Sequence, residues 1–183
     1  RIESEPELGY KETKTAAKVE SYMKELGLTP QTVLALTGVK TCVDGGKKGP
    51  AVAVLAELDA VGTPDSPKAD PLTGAAHTCG HFLQMASMLA ACTGIVKSNV
   101  MKDLAGSAVF FAVPAEEYVE IDYRKRLVKE GKIHFLGGKS ELVYEGHFDD
   151  IDMAMMMHSQ GNAPEKAEYI GKSSNGIVGK TGQ

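Results

Sequence analysis

The run GPAVAVLAE at residues 49–57 constrains this chain more than any other stretch. Residues 51–55 are continuously apolar instead of alternating, the pattern of a strand covered on both faces inside an α/β sheet. The run closes on Glu57-Leu58-Asp59, so acidic residues arrive where the strand stops. Two more runs repeat the arrangement. Residues 107–113 halt at Pro114 and lead into Ala115-Glu116-Glu117, and residues 152–157 run into His158. Between them lie helical patterns. Ala16, Val19, Met23 and Leu26 share one face of residues 9–27, which Gly27 ends. Met85, Met88, Leu89 and Cys92 repeat at i, i+3, i+4 and i+7, and shorter helices are expected over 123–130 and 140–144. Strands alternating with helices predict a three-layer α/β fold, a mostly parallel sheet flanked by helices, and such sheets bind ligands at the carboxyl ends of their strands. Asp59, Glu116, Glu117 and His158 all fall at such ends.

The remaining segments read more simply. Residues 32–43 are rich in Val, Leu and Thr and predict one or two strands and a hairpin, closed by Asp44-Gly45-Gly46; residues 62–76, rich in Pro, Asp, Gly and Thr, predict loop. A length of 183 residues with 43% hydrophobic content suffices for one buried core. The net charge of −4, with both signs interspersed, leaves no basic stripe, so nucleic acid is not an expected partner. Residues 51–55 and 86–91 are too short to span a bilayer and the first residues lack a signal-peptide pattern, so no membrane partner and a cytoplasmic address are expected. Three cysteines without CxxC spacing argue against a disulfide framework. Cys42 and Cys92 read as buried small hydrophobes, Met153 and Met155 to Met157 as strand core, His134 and His147 as surface residues, and residues 123–129 as the charged face of a helix.

The chemistry concentrates at HTCGHFLQ, residues 77–84, ahead of the second helix. Thiolate, imidazole and carboxylate are the usual zinc ligand set, and four such groups at one rim of a sheet can close around a metal. Adjacent glutamates allow a division of labour: one coordinates while its neighbour, on the opposite side of the backbone, faces a water as general base. That combination suits metal-assisted amide hydrolysis. The chain has no HExxH, GxGxxG or GxSxG. GIVGKT near the C-terminus fails as a phosphate loop, because the first glycine would fall at Ser174.

Five motifs in order, PELGYKETKTA, GPAVAVLAELDAV, GAAHTCGHFLQMASMLAA, FFAVPAEE and MMMHS, resemble the amidohydrolase branch of the aminoacylase and carboxypeptidase family of metallopeptidases, which includes hydrolases of hippurate, indole-acetyl amino acids and aminobenzoyl-glutamate. The resemblance implies a zinc-peptidase catalytic domain of phosphorylase/hydrolase type with two divalent metal ions, zinc or manganese. It implies Cys79, His81, Glu117 and His158 as metal ligands, Glu116 as general base and Asp59 as the carboxylate that orients a ligand. The substrate would be an N-acyl amino acid or small peptide. His77 lies beside the ligands with a hydrogen-bonding or loop-fixing role.

Two departures stand out. Phe82, Leu83 and Gln84 replace the Asp-Gly-His that commonly follows the Cys-Gly-His turn in this branch. Family members are also longer: after a segment resembling YIGKSSNGIVGKTGQ comes a lid domain, used for homodimerisation and substrate clamping, and then a return to the catalytic domain with a final metal-binding histidine. Residues 1–183 are therefore expected to be the N-terminal portion of the catalytic domain, with slow or no turnover alone. Two alternatives stay open: a cysteine hydrolase with Cys79 as nucleophile, its thiolate favoured by the helix N-terminus, and a non-catalytic metal-binding or interaction domain derived from the same fold.

Overall fold

A computed structural model of the chain describes residues 2–159, so the YIGKSSNGIVGKTGQ segment and the GIVGKT stretch lie outside the described residues. In chain order the elements are α1 (Thr13–Glu25), β1 (Gln31–Leu34), β2 (Gly38–Asp44), β3 (Lys47–Glu57), β4 (Val61–Gly62), β5 (Ala75–Ala76), α2 (His81–Ser98), a 3₁₀ turn at Val100–Asp103, β6 (Ala105–Val113), α3 (Ile121–Lys129), α4 (Gly138–Tyr144) and β7 (Met153–Met156). Five strands form one sheet in the order β1-β2-β6-β3-β7.

Alternation along the strands divides the core into two layers. Val109, Phe111 and Val113, with Ala53 and Leu55, pack with Leu127, Ile133 and Leu142 from the α3–α4 region. Ala108, Phe110 and Ala112, with Ala56, pack with Val19 and Met23 of α1 and Met85, Met88 and Cys92 of α2. β3 and β6 are thus covered on both sides, as the continuously apolar run in β3 requires. Glu7, in the preceding segment, accepts the Lys14 and Thr15 amides at 3.1 and 2.8 Å and so satisfies donors that begin α1.

The sheet is more mixed than expected. β3 runs parallel to β6 and β7, but β2 is antiparallel to both β1 and β6. The hairpin is β1–β2, and it turns at residues 35–37, not at Asp44-Gly45-Gly46. The two glycines instead carry the chain across the start of β6: Gly45 and Gly46 donate to the Gly106 and Met101 carbonyls at 2.7 and 3.0 Å. A Cβ at Gly46 would sit 2.2 Å from the Lys102 carbonyl oxygen, so only glycine allows that crossing. Residues 62–76 are mostly turns, as expected, but their ends pair as the short β4–β5 ladder.

Three expectations about single positions are corrected. Cys42 is exposed, with its thiol directed to Asp44 at 3.3 Å, because it lies toward the end of β2, where the strand emerges from the core. Met153, Met155, Met156 and Met157 are exposed, because β7 is an edge strand that pairs only with β3 among the described residues. Residues 123–129 are not simply a charged face: Arg124 is fully buried. Cys92 is buried as expected, His134 is exposed and His147 half-buried. Among the described residues no helix is long and apolar enough to cross a membrane.

Candidate metal centre

Register places the site. Glu57 at the end of β3 pairs with Val113 at the end of β6, and Leu58 donates to the Val113 carbonyl at 2.9 Å. The Glu57–Asp59 and Glu116–Glu117 segments therefore leave the sheet side by side. On the other side of β3, Met156 pairs with Leu55, so His158 emerges at the same rim. The N-terminus of α2 completes the rim at the Cys-Gly-His turn. Gly80 has φ +100°, and a Cβ there would lie 2.0 Å from Ser159 Oγ; that hydroxyl donates to the Cys79 carbonyl at 3.1 Å. Glycine at 80 is thus required both for the left-handed bend and for the approach of the residue after His158.

His81 is the centre of the arrangement and is 1% exposed. Its Nδ1 lies 2.8 Å from the Asp59 carbonyl oxygen and 3.2 Å from Asp59 Oδ1, which places the ring proton on Nδ1. Nε2 makes no well-formed hydrogen bond. It faces Glu57 Oε2 at 2.9 Å, Glu116 Oε2 at 3.8 Å and Glu117 Oε1 at 3.8 Å. Burial pushes the His81 pKa down, but the Asp59 and Glu57 carboxylates overcome it and raise it to about 10. A cation belongs between this nitrogen and the carboxylates: a second proton, or a metal ion.

Cys79 and His158 stand beside it. Cys79 Sγ is 3.3 Å from His158 Nε2, and His158 Nδ1 is 2.6 Å from the Ser159 carbonyl, leaving Nε2 as the donor atom for the site. Donor atoms of Cys79, His81 and His158 all lie within 4.8 Å of one another, as do those of Glu57, His81 and Glu116. Burial, reinforced by the hydrogen bond and charge of Glu117, pushes the Cys79 thiol up to about 12. The helix N-terminus does not offset these effects, whereas coordination to a metal ion would favour the thiolate. Burial and Glu57 also raise the Glu116 carboxyl. A sulfur, two imidazoles and several carboxylates, with a buried imidazole nitrogen otherwise unsatisfied, form a donor set suited to a divalent ion such as zinc.

The structure thus brings Asp59, Cys79, His81, Glu116, Glu117 and His158 to one rim. Asp59 does two jobs: it orients His81, and its Oδ2 accepts the Glu117 amide at 2.8 Å. The residue missed was Glu57. It is 2% exposed, gripped by Gln84 through two hydrogen bonds, from the Glu57 amide to Oε1 at 3.1 Å and from Nε2 to Glu57 Oε2 at 3.0 Å. Lys139 of α4 ion-pairs with its other oxygen. A glutamate ending a buried strand and a glutamine one turn into the next helix were visible signals, but nothing in their spacing paired them. His77 packs its ring against Phe82 at 5.8 Å and makes no side-chain hydrogen bond among the described residues, so of the two expected roles, hydrogen-bonding or loop-fixing, the first is not seen.

No family model matches the chain. It is 28% identical over 158 residues to the N-acetyl-L-cysteine deacetylase of Bacillus subtilis, covering 85% of this chain and 33% of that protein. It is 29% identical over 169 residues to thermostable carboxypeptidase 2 of Saccharolobus solfataricus, covering 90% and 38%. Among solved structures it matches a dinuclear metal-binding peptidase of the M20 family from Bacillus subtilis with a TM-score of 0.70, at 24% identity over 89% of this chain and 42% of the other. In sequence the chain is similar to amidohydrolases, deacetylases and carboxypeptidases. It spans about a third of the length of the curated relatives it matches, and its fold is that of the M20 peptidase domain over the matched region.

Proposed function

We propose that this site belongs to a metal-dependent hydrolase that cleaves the amide bond of an N-acyl amino acid or small peptide, with Cys79, His81, Glu117 and His158 as ligands of a pair of zinc or manganese ions. The observation that carries the proposal is His81 Nε2, buried and without a well-formed hydrogen bond, facing carboxylates within 4.8 Å of one another and adjoining Cys79 and His158. A divalent ion held there would lower the pKa of a bound water and polarise the scissile carbonyl. Asp59 keeps the His81 Nδ1 proton in place, so that Nε2 is the nitrogen that turns to the carboxylates and would ligate the ion in place of its proton. Glu116, with a 39% exposed side chain and a raised pKa, accepts a proton from the attacking water and delivers it to the departing amine. The relatives' deacetylase and carboxypeptidase names fit this reading. In a protein of the relatives' length, residues 1–183 would supply the first part of the catalytic domain and a lid would supply the homodimer contact.

The test is kinetic, on the chain extended to the length of its relatives. N-acetyl amino acids should be hydrolysed, activity should vanish with chelator and return with zinc or manganese, and Glu116→Gln should lower kcat at least ~100-fold with metal content unchanged. Turnover that survives chelation, or a Glu116→Gln protein as fast as wild type, would contradict the proposal.

A further inference from the structure

The glutamate pair sits on a bend that nothing in its own sequence favours. Ala115 has φ +50°, a left-handed conformation uncommon for a residue with a side chain. Something must hold it, and the surroundings of Ala115 show what does. Buried Glu12 accepts the Ala115 amide at 2.8 Å through Oε1 and the Thr37 hydroxyl at 2.7 Å through Oε2. Arg124, fully buried, donates from Nη1 to the Ala115 carbonyl at 3.3 Å and to the Leu136 carbonyl at 2.7 Å, and from Nη2 to the Glu117 carbonyl. Its guanidinium lies between the Tyr10 and Tyr118 rings, 5.5 and 5.8 Å from their centroids. A Cβ at Gly9 would sit 2.3 Å from Nη2 and 2.9 Å from Ala115 Cα, so glycine there makes room for the guanidinium against the bend.

The choice of arginine is informative. Burying a guanidinium is costly, and here its three acceptors are neutral carbonyls, with no carboxylate ion-paired to it among the described residues. Carbonyls on both sides of Glu116, those of Ala115 and Glu117, are fixed by the two ends of one rigid planar group. That geometry determines the direction in which the two glutamate side chains leave the backbone. Hydrophobic packing at the same place could fill the volume but could not fix those two carbonyls.

We propose that Arg124 is a positioning residue for the candidate metal centre: it clamps residues 115–117 in the left-handed bend that aims Glu116 and Glu117 at His81, with Glu12 and Gly9 completing the clamp. The link to metal rests on the function proposed above; the clamp itself does not. Hydrogen exchange of the 183-residue chain tests it first. Arg124→Met should speed exchange of the Ala115 and Glu117 amides at least tenfold while the β3 and α2 amides keep their protection, and Arg124→Lys should fall between. Co²⁺ titration of the same proteins should show at least tenfold weaker binding for Arg124→Met. Should Arg124→Met not fold, Gly9→Ala, which displaces the guanidinium without removing it, is expected to give the same local exchange pattern. Unchanged exchange at residues 115 and 117, or loss of protection spread evenly over the whole sheet, would overturn the clamp. Faster local exchange with undiminished Co²⁺ affinity would overturn its role in the centre, whereas a wild type that binds no Co²⁺ would overturn the metal reading and leave the exchange result to decide the clamp.

Discussion

At Gly80 a single residue decides whether the Cys79–His81 turn can form. Its φ of +100° strains any residue with a Cβ, and that Cβ would collide with Ser159. Gly80→Ala is therefore expected to destabilise the fold by about 1–2 kcal/mol from the backbone alone and to weaken metal binding at least tenfold, measurable by urea unfolding and by metal titration. Glu12 is the other residue whose behaviour follows from its surroundings. Burial and, to a lesser extent, the charge of Asp59 raise its carboxyl to about 7. Between its ordinary value and that figure the folded state keeps a proton that the unfolded state has released. Stability thus falls as pH rises from about 4.5 to about 7, by roughly 3 kcal/mol from this group. Glu12→Gln, which can accept the Ala115 amide and donate to Thr37, should flatten that slope when unfolding is compared at pH 5 and pH 8. A slope equal to that of wild type would show that Glu12 does not carry it.

At the scale of elements, α2 does two things at once: its apolar face packs Met85, Met88 and Cys92 on the sheet, and its first turn carries His81 and Gln84 to the ends of β3 and β6. Gln84→Ala would leave the Glu57 amide without its partner and remove one hydrogen bond from its carboxylate, a loss of about 1–3 kcal/mol that chemical denaturation can read. The same element shows what a sequence makes legible. Helical spacing exposed α2 and its core face, unbroken apolarity exposed β3, and the acidic residues at strand ends exposed Asp59, Glu116 and Glu117. Pairing partners were not legible, because strand order depends on contacts distant in sequence. β6 inserts between β2 and β3, so the Gly45-Gly46 turn that seemed to close a hairpin crosses another strand. Arg124 was hidden for a related reason: it lies among Lys125, Arg126 and Lys129, and only tertiary packing against Gly9 and Ala115 separates a buried guanidinium from its solvated neighbours.

For the whole molecule, the five-stranded sheet works as a frame that delivers residues from β3, β6, β7 and α2 to one rim. Four carboxylates, those of Glu57, Asp59, Glu116 and Glu117, meet there with His81, and Lys139 is the lysine in ion contact with them among the described residues. A divalent ion binding only the folded state at a hundred times its Kd should add about 2.7 kcal/mol of stability. For a chain of this size that is a rise in Tm of about 5–10 °C, reversed by chelator and seen by calorimetry. The most direct test of the central claim is the metal content of the 183-residue chain, supplied with zinc or manganese at neutral pH, dialysed and measured by elemental analysis beside Cys79→Ala and His81→Ala. The predicted result is near-stoichiometric metal in the wild type and a loss of most of it in both variants. A wild type that retains no metal, or variants that retain as much as the wild type, would contradict the assignment of this rim as a metal centre.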